Sequence, residues 1–374
     1  MHQGFQTLIF TFFQPYRFER EGNAQKTFGR DKNIQTSQIS SFNKNAYCQD
    51  ADSTEKNRGL LLTTTININE LSKHFGEIKA VDGVCLDVKR GEVFGFLGPN
   101  AAGKSTTVKV AATLLRPTKG TIVIDGYDVQ SSPVEVRSTI GLLPEDGATT
   151  HYDRMSAYQN LAYFGRLYDV SEEKLHDRIM QLLEFLELAE RADDSPATFS
   201  TGLKQKLSLA RSMIHDPNVV FLDEPTSSLD PIMSRRIRQF IDQQAESGKQ
   251  TFFLCTHLLS EFEDLCDRVG FISKGTLVEV GSPKDLRKKF WRVQTFEVRV
   301  QNTDLASVLA TIESTGLTLD TRIEDHLVVF ELEDAEKGNP QILKALVESN
   351  VDLIEVRERV PDLEAVYRKV IGGF

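Results

Sequence analysis

The chain has little cysteine, one tryptophan and no long apolar run. Four cysteines, Cys48, Cys85, Cys255 and Cys266, are scattered through 374 residues without any C-x-x-C pair. That spacing indicates neither a zinc site nor a disulfide scaffold, so free thiols in a reducing compartment are expected. No apolar stretch approaches the ~18 residues that a membrane span needs. LIFTFF (Leu8–Phe13) is far too short, and no small-residue cleavage site follows it. A surplus of positive charge is also missing: the formal net charge is −10, which argues against a nucleic-acid partner, since binding phosphates needs a basic face. What is present is ordinary globular material, 40% hydrophobic and 26% charged, long enough for two domains and a tail.

Residues 1–60 read differently from the rest. GNAQKTFGRDKNIQTSQISSFNKNAYCQDADSTEKNRG (Gly22–Gly59) is rich in Asn, Gln, Ser, Thr and Lys and lacks periodicity, so a disordered extension is expected. The aromatic start, FQTLIFTFFQPYRF, reads either as a weak contact for a membrane surface or partner or, more simply, as sequence upstream of a true start near Leu60. That start would need a non-standard codon, because the next methionine is Met155.

From Leu61 the pattern is that of an α/β protein. TTTININEL (Thr63–Leu71) alternates like an edge strand, and VCLDVKRG (Val84–Gly91) does the same before a turn. EVFGFLG (Glu92–Gly98), NVVFLDEP (Asn218–Pro225) and QTFFLCTH (Gln250–His257) are short apolar runs with polar or glycine ends, as buried strands have. STTVKVAATLL (Ser105–Leu115) has helical spacing. So do AYQNLAYFGRLY (Ala157–Tyr168) and the run from Ser171 to Ala192, whose Leu175, Ile179, Leu182, Leu183 and Leu186 share one face. Beyond Pro283, strands at FEVRVQ, LTLDTRI, HLVVFELE and VDLIEVRERV alternate with helices at LASVLATIEST and PQILKALVESN. That βαββαβ order predicts a small ferredoxin-like α+β domain. The expected domains are 1–60, 61–288 and 289–374.

GPNAAGKST (Gly98–Thr106) satisfies the phosphate-loop pattern G-x-x-x-x-G-K-[ST] between a buried strand and a helix. In such a loop Gly98, Pro99, Asn100, Ala101, Ala102 and Gly103 wrap their backbone around a nucleotide, whose anion is favoured by the helix N-terminus. Lys104 would reach the β- and γ-phosphates, Ser105 would hold Mg²⁺, and Thr106 completes the loop. Asp223 at the tip of a buried strand suits a metal held through water, and Glu224 suits polarising an attacking water. His257, ending the next strand run, is read as a γ-phosphate contact. Ala101 stands where a glycine is usual. An alanine forced to positive φ costs roughly 1–2 kcal/mol, which multidentate phosphate binding absorbs.

FSTGLKQKLSLARSMIHDPNVVFLDEPTSSLDP (Phe199–Pro231) resembles the signature, helix, second acidic motif and D-loop of ABC-ATPases in unbroken order. With GPNAAGKST before it and CTH after, the resemblance spans about Leu61–Leu286. LPEDGATTHYDRMSAYQNLAYFGRLYDV (Leu143–Val170) and VPDLEAVYRKVIG (Val360–Gly372) are similar to ATPase subunits of bacterial sodium-efflux, nodulation-export and drug-resistance exporters. The resemblance implies an ABC-ATPase core with an antiparallel β subdomain and a helical subdomain, binding ATP and Mg²⁺. It implies head-to-tail association with a second copy or a paralogous ATPase, so that Ser200, Thr201 and Gly202 of one chain meet the γ-phosphate held by the other. Ser200 would also N-cap the following helix. A separate transmembrane permease is implied as partner, placing the chain in the cytoplasm on the inner face of the cell membrane. The last helix reads equally as packing within the small domain or as regulatory.

Three departures from the family's wording stand out. Glu145 replaces the usual Gln as a metal or water ligand, the signature reads F-S-T-G-L, and Phe75 occupies the place of the adenine-stacking ring, where phenyl still stacks. The competing readings are a soluble ABC protein acting on a non-membrane partner and a regulator that no longer hydrolyses ATP. Retention of Lys104, Asp223, Glu224 and His257 argues against the second.

Overall fold

β1 (Thr64–Phe75) and β2 (Ile78–Lys89) pair antiparallel around Gly76, whose φ of 60° a two-residue turn requires. The structure, a computed structural model, describes residues 64–145, 151–257, 263–291, 293–301 and 304–372. The expectations for residues 1–60 therefore lie outside it. β3 (Val93–Leu97) leads through the 98–103 loop into α1 (Lys104–Ala111), and β4 (Lys119–Ile124) and β5 (Tyr127–Asp128) return to the first sheet. Its order is β2-β1-β4-β5. The expected edge strand is thus interior, paired on both sides. Its polar–apolar alternation records a sheet with one wet face, which antiparallel sheets tolerate at any position.

After α2 (Pro133–Thr139) and β6 (Ile140–Leu143) come the helices α3 (Ala157–Leu167), α4 (Glu172–Phe185) and α5 (Thr201–Met213). Ser156 and Gln159 form a reciprocal capping box at α3, and the predicted α4 face is buried. β7 (Val219–Asp223), α6 (Pro231–Glu246), β8 (Thr251–Thr256), β9 (Arg268–Ser273), β10 (Thr276–Gly281) and α7 (Pro283–Phe290) complete the core. The second sheet runs β10-β9-β3-β8-β7-β6, parallel except at β10.

Period-2 burial splits this sheet's two faces. Phe94, Phe96, Phe221 and Phe253 pack against the antiparallel sheet, while Leu97, Leu222, Phe252 and Leu254 pack against the helices. Both faces are covered, which is why these strands read as continuous apolar runs. Cys255 and Cys266 are free and buried, but Cys85 is disulfide-bonded, against the expectation of four free thiols.

The C-terminal part has the predicted order: β11 (Gln294–Val300), α8 (Leu305–Ser314), β12 (Asp320–Glu324), β13 (Leu327–Leu332), α9 (Ala335–Glu348) and β14 (Leu353–Glu358). Its sheet, β12-β13-β11-β14, is wholly antiparallel and has its own apolar cluster under the helices. α9 begins five residues before the expected Pro340, capped by Asp334, and carries that proline inside the helix, where the Glu336 carbonyl loses its i+4 donor. The final helix, α10 (Leu363–Gly372), does not pack within this small unit. Leu363 and Val366 join the cluster beneath the parallel sheet, and Tyr367 meets Phe271 edge-on at 5.3 Å. The Leu363 N–H donates to Glu263, which also pairs with Arg287.

Candidate active site

Close approach explains both outer glycines of the 98–103 loop. A Cβ at Gly98 would lie 2.4 Å from the Ile272 carbonyl oxygen, and one at Gly103 (φ 112°) would lie 2.5 Å from that of Ala80. Ala101 adopts φ 63°, the left-handed backbone in which glycine is comfortable. The strain expected from the sequence is therefore present, and it is local. Gly103 caps α1 without any side-chain acceptor, leaving the first-turn N–H groups directed at the loop. Lys104 is buried, and its ammonium donates to the carbonyls of Gly98 (2.6 Å) and Pro99 (3.2 Å). Neutral carbonyls hold that charge in place without neutralising it.

Because β3, β8 and β7 are neighbours, their carboxyl ends converge on this loop. Asp223 ends β7 almost wholly buried. Burial chiefly, with the charges of Glu145 and Glu224, pushes its carboxyl up to about 6, against the Ser105 hydroxyl and Lys104. The Ser105 hydroxyl also lies 3.4 Å from Glu145 Oε2. Glu224 sits at φ 50°, a strained position for a non-glycine residue, pinned by its N–H to the Cys255 carbonyl at 2.9 Å. Its Oε2 accepts from Thr256 Oγ1 (3.0 Å), and its Oε1 from the His257 N–H (2.9 Å) and Nδ1 (2.6 Å). A carboxylate only accepts, so Nδ1 supplies the proton of this contact.

A cleft of ≈ 470 Å³ runs along the loop, lined by residues 99–106, Glu145, Asp223 and Glu224. Phe75 forms its mouth, 47% exposed, with the Lys73 ammonium 5.0 Å from the ring centroid. Gly98 and His257, both expected at the nucleotide, do not line the cleft; His257 instead contacts Glu224, which does. Ser200, Thr201 and Gly202 do not line it. They form the N-terminus of α5, where Ser200 accepts from the Leu203 N–H at 3.4 Å as expected of an N-cap. Gly202 packs so closely that a Cβ would meet the Ser228 carbonyl at 2.7 Å. Gln205, one turn on, donates to the Glu224 carbonyl at 3.3 Å.

Sequence reasoning missed Ile78, Lys79 and Lys274 in the cleft, and Thr256 and Gln205 beside Glu224. Ile78 and Lys79 follow the Phe75 turn directly, so the hairpin pattern offered a signal. Lys274 and Gln205 belong to other elements, and only the fold brings them in.

The family described as ABC transporter matches residues 81–227. The chain is 33% identical over 309 residues to the daunorubicin resistance ATP-binding protein DrrA3 of Streptomyces coeruleorubidus, covering 83% of this chain and 96% of that one. The chain belongs to the ABC transporter ATP-binding proteins. The bacitracin transport ATP-binding protein BcrA of Bacillus licheniformis is 31% identical, covering 83% and 99% of the two chains. NatA of Bacillus subtilis, an ABC transporter ATP-binding protein, is 38% identical over 59% of this chain and 91% of its own. A solved ATP-binding subunit of an ABC transporter superposes with a TM-score of 0.58 at 30% identity, covering 61% of this chain and 93% of that one. A dimeric cassette bound to ADP and phosphate shares the fold at 24% identity, with a TM-score of 0.54, over 58% and 98% of the two chains. This ABC transporter subunit is an ATPase, and no finding favours the soluble alternative. No helix among its described residues is long and apolar enough to cross a membrane.

Proposed function

We propose that this ATPase powers export through a separate permease, and that two chains close head-to-tail around two ATP molecules. The observation that carries the reading is the convergence of the 98–106 loop, Asp223–Glu224 and His257 at three adjacent strand ends. The loop N–H groups and Lys104 hold the phosphates, Phe75 stacks on the base, and Glu224 orients and polarises the attacking water, steadied by His257 and Thr256. The oxygens of Ser105, Asp223 and Glu145 suit a hard cation, and the raised Asp223 carboxyl marks a buried negative charge with too little compensation. Mg²⁺ held there would neutralise phosphate charge as it develops. Among the described residues no three His, Cys, Asp or Glu side chains form a metal cage, which suits an ion that keeps waters and phosphate oxygens as ligands. Drug-resistance relatives support export of a toxic small molecule, and acting through a permease places the chain on the inner face of the membrane.

Head-to-tail closure explains why Ser200–Gly202 are built as a capped helix N-terminus yet lie off the cleft: the second chain needs them. Mixing a Lys104→Ala chain with a Gly202→Asp chain tests this. Each alone should be inactive, while the mixed dimer contains one site with both an intact loop and an intact signature. Recovered ATP turnover is expected; a mixture as inactive as its parents would contradict completion of the site by a partner.

A further inference from the structure

Lys274 lies on the two-residue turn between β9 and β10, outside every motif of the site, yet it lines the same cleft. The turn is wedged against both walls. The Gly275 N–H donates to the Ala102 carbonyl at 2.9 Å, and the Gly275 carbonyl accepts from the Asp82 N–H at 2.8 Å. A Cβ on Gly275 would lie 2.9 Å from the Ala80 carbonyl oxygen, so this turn cannot back away from the loop unnoticed. Lys274 and Gly275 both take positive φ (48° and 78°), the pairing that a tight hairpin turn demands.

Charge is the second observation. The cleft is lined by Lys79, Lys104 and Lys274 and by Glu145, Asp223 and Glu224, which balance before any polyphosphate enters. Lys79 is engaged with Asp82 at 3.2 Å, and Lys104 is held by loop carbonyls. Among the described residues Lys274 makes no ion pair, so its ammonium, like that of Lys104, is not neutralised by a carboxylate. Resting on the nucleotide-site reading above, we propose that Lys274 is a nucleotide-binding residue, an ammonium that closes on the phosphate chain of ATP from the β9–β10 side. Its position is fixed by the turn while its flexible stem reaches for the anion.

Binding by the purified full chain tests this, with ATP and adenosine as probes at low and high salt. Lys274→Gln removes the charge while keeping an unbranched polar side chain, and should weaken ATP about two- to fivefold at low salt, the range for an exposed ion pair. Lys274→Glu should weaken it further, Lys274→Arg should restore it, and adenosine affinity should stay unchanged throughout. The difference between Gln and native chains should shrink at high salt. Equal ATP affinity of the Gln and native chains at low salt, with unchanged melting temperatures, would overturn the assignment, as would an equal loss for adenosine. A native chain that bound ATP no better than Lys104→Ala would instead overturn the nucleotide-site reading itself.

Discussion

At the scale of single residues, Ala101 is strained but placed. Its φ of 63° is the conformation expected of a phosphate loop, so the methyl group costs energy without changing the path of the chain. Relieving it with Ala101→Gly is expected to alter ATP affinity by less than about tenfold, under about 1.4 kcal/mol, in an equilibrium binding titration. A gain of several orders of magnitude would mean that the methyl group blocks the phosphate. Two histidines carry a different consequence. Burial lowers His151 and His215 to about 4 against 6.5 for the free side chain, outweighing their hydrogen bonds to the carbonyls of Lys204 and Ile140. Between those values the unfolded chain binds more protons than the folded one, so stability falls as pH drops below 6.5, by at most about 3 kcal/mol per ring once below 4. Asp223, raised to about 6, works in the opposite sense over pH 4–6, so the histidines win by two groups to one. Urea unfolding of the nucleotide-free chain should show a net loss of about 2 kcal/mol between pH 7 and pH 5, reduced when both histidines are replaced by Gln.

At the scale of elements, the strands of the parallel sheet were legible because both their faces are buried and their apolar runs stop at polar or glycine ends. The α3 and α4 helices and the βαββαβ order were legible for the same reason, a strong period. Strand neighbours were not. The alternation of Thr64–Phe75 reports one wet face and says nothing about whether a second strand lies beside it. Nor does a periodic α10 say which core it joins: its apolar face would fit either, and the Glu263 and Arg287 contacts that choose are long-range. The sheet's cohesion has a clear centre in Phe253, fully buried, with its ring centroid 5.3–5.5 Å from those of Phe94, Phe96 and Phe221. Phe253→Ala should cost about 3–5 kcal/mol in denaturant unfolding, while a surface change on the same sheet costs little.

For the whole molecule, the motif residues in the sequence named most of the cleft, since each motif brings its own strand–turn–helix setting. What stayed hidden were single residues such as Lys274 and Gln205, whose roles exist only once distant elements meet. The proposed head-to-tail closure makes the molecule a half-site: its cleft holds the loop and the acids, while the N-terminus of the signature helix lies off it. Glu224 is the residue we propose turnover depends on; Thr256 and His257 hold it at a strained backbone position. The most direct test is ATP turnover of the purified chain beside Glu224→Gln, read together with their assembly state in ATP. The variant should bind ATP, accumulate as a dimer and turn over at least about a hundredfold more slowly, the scale of a lost general base. Equal turnover by the two chains would contradict the account.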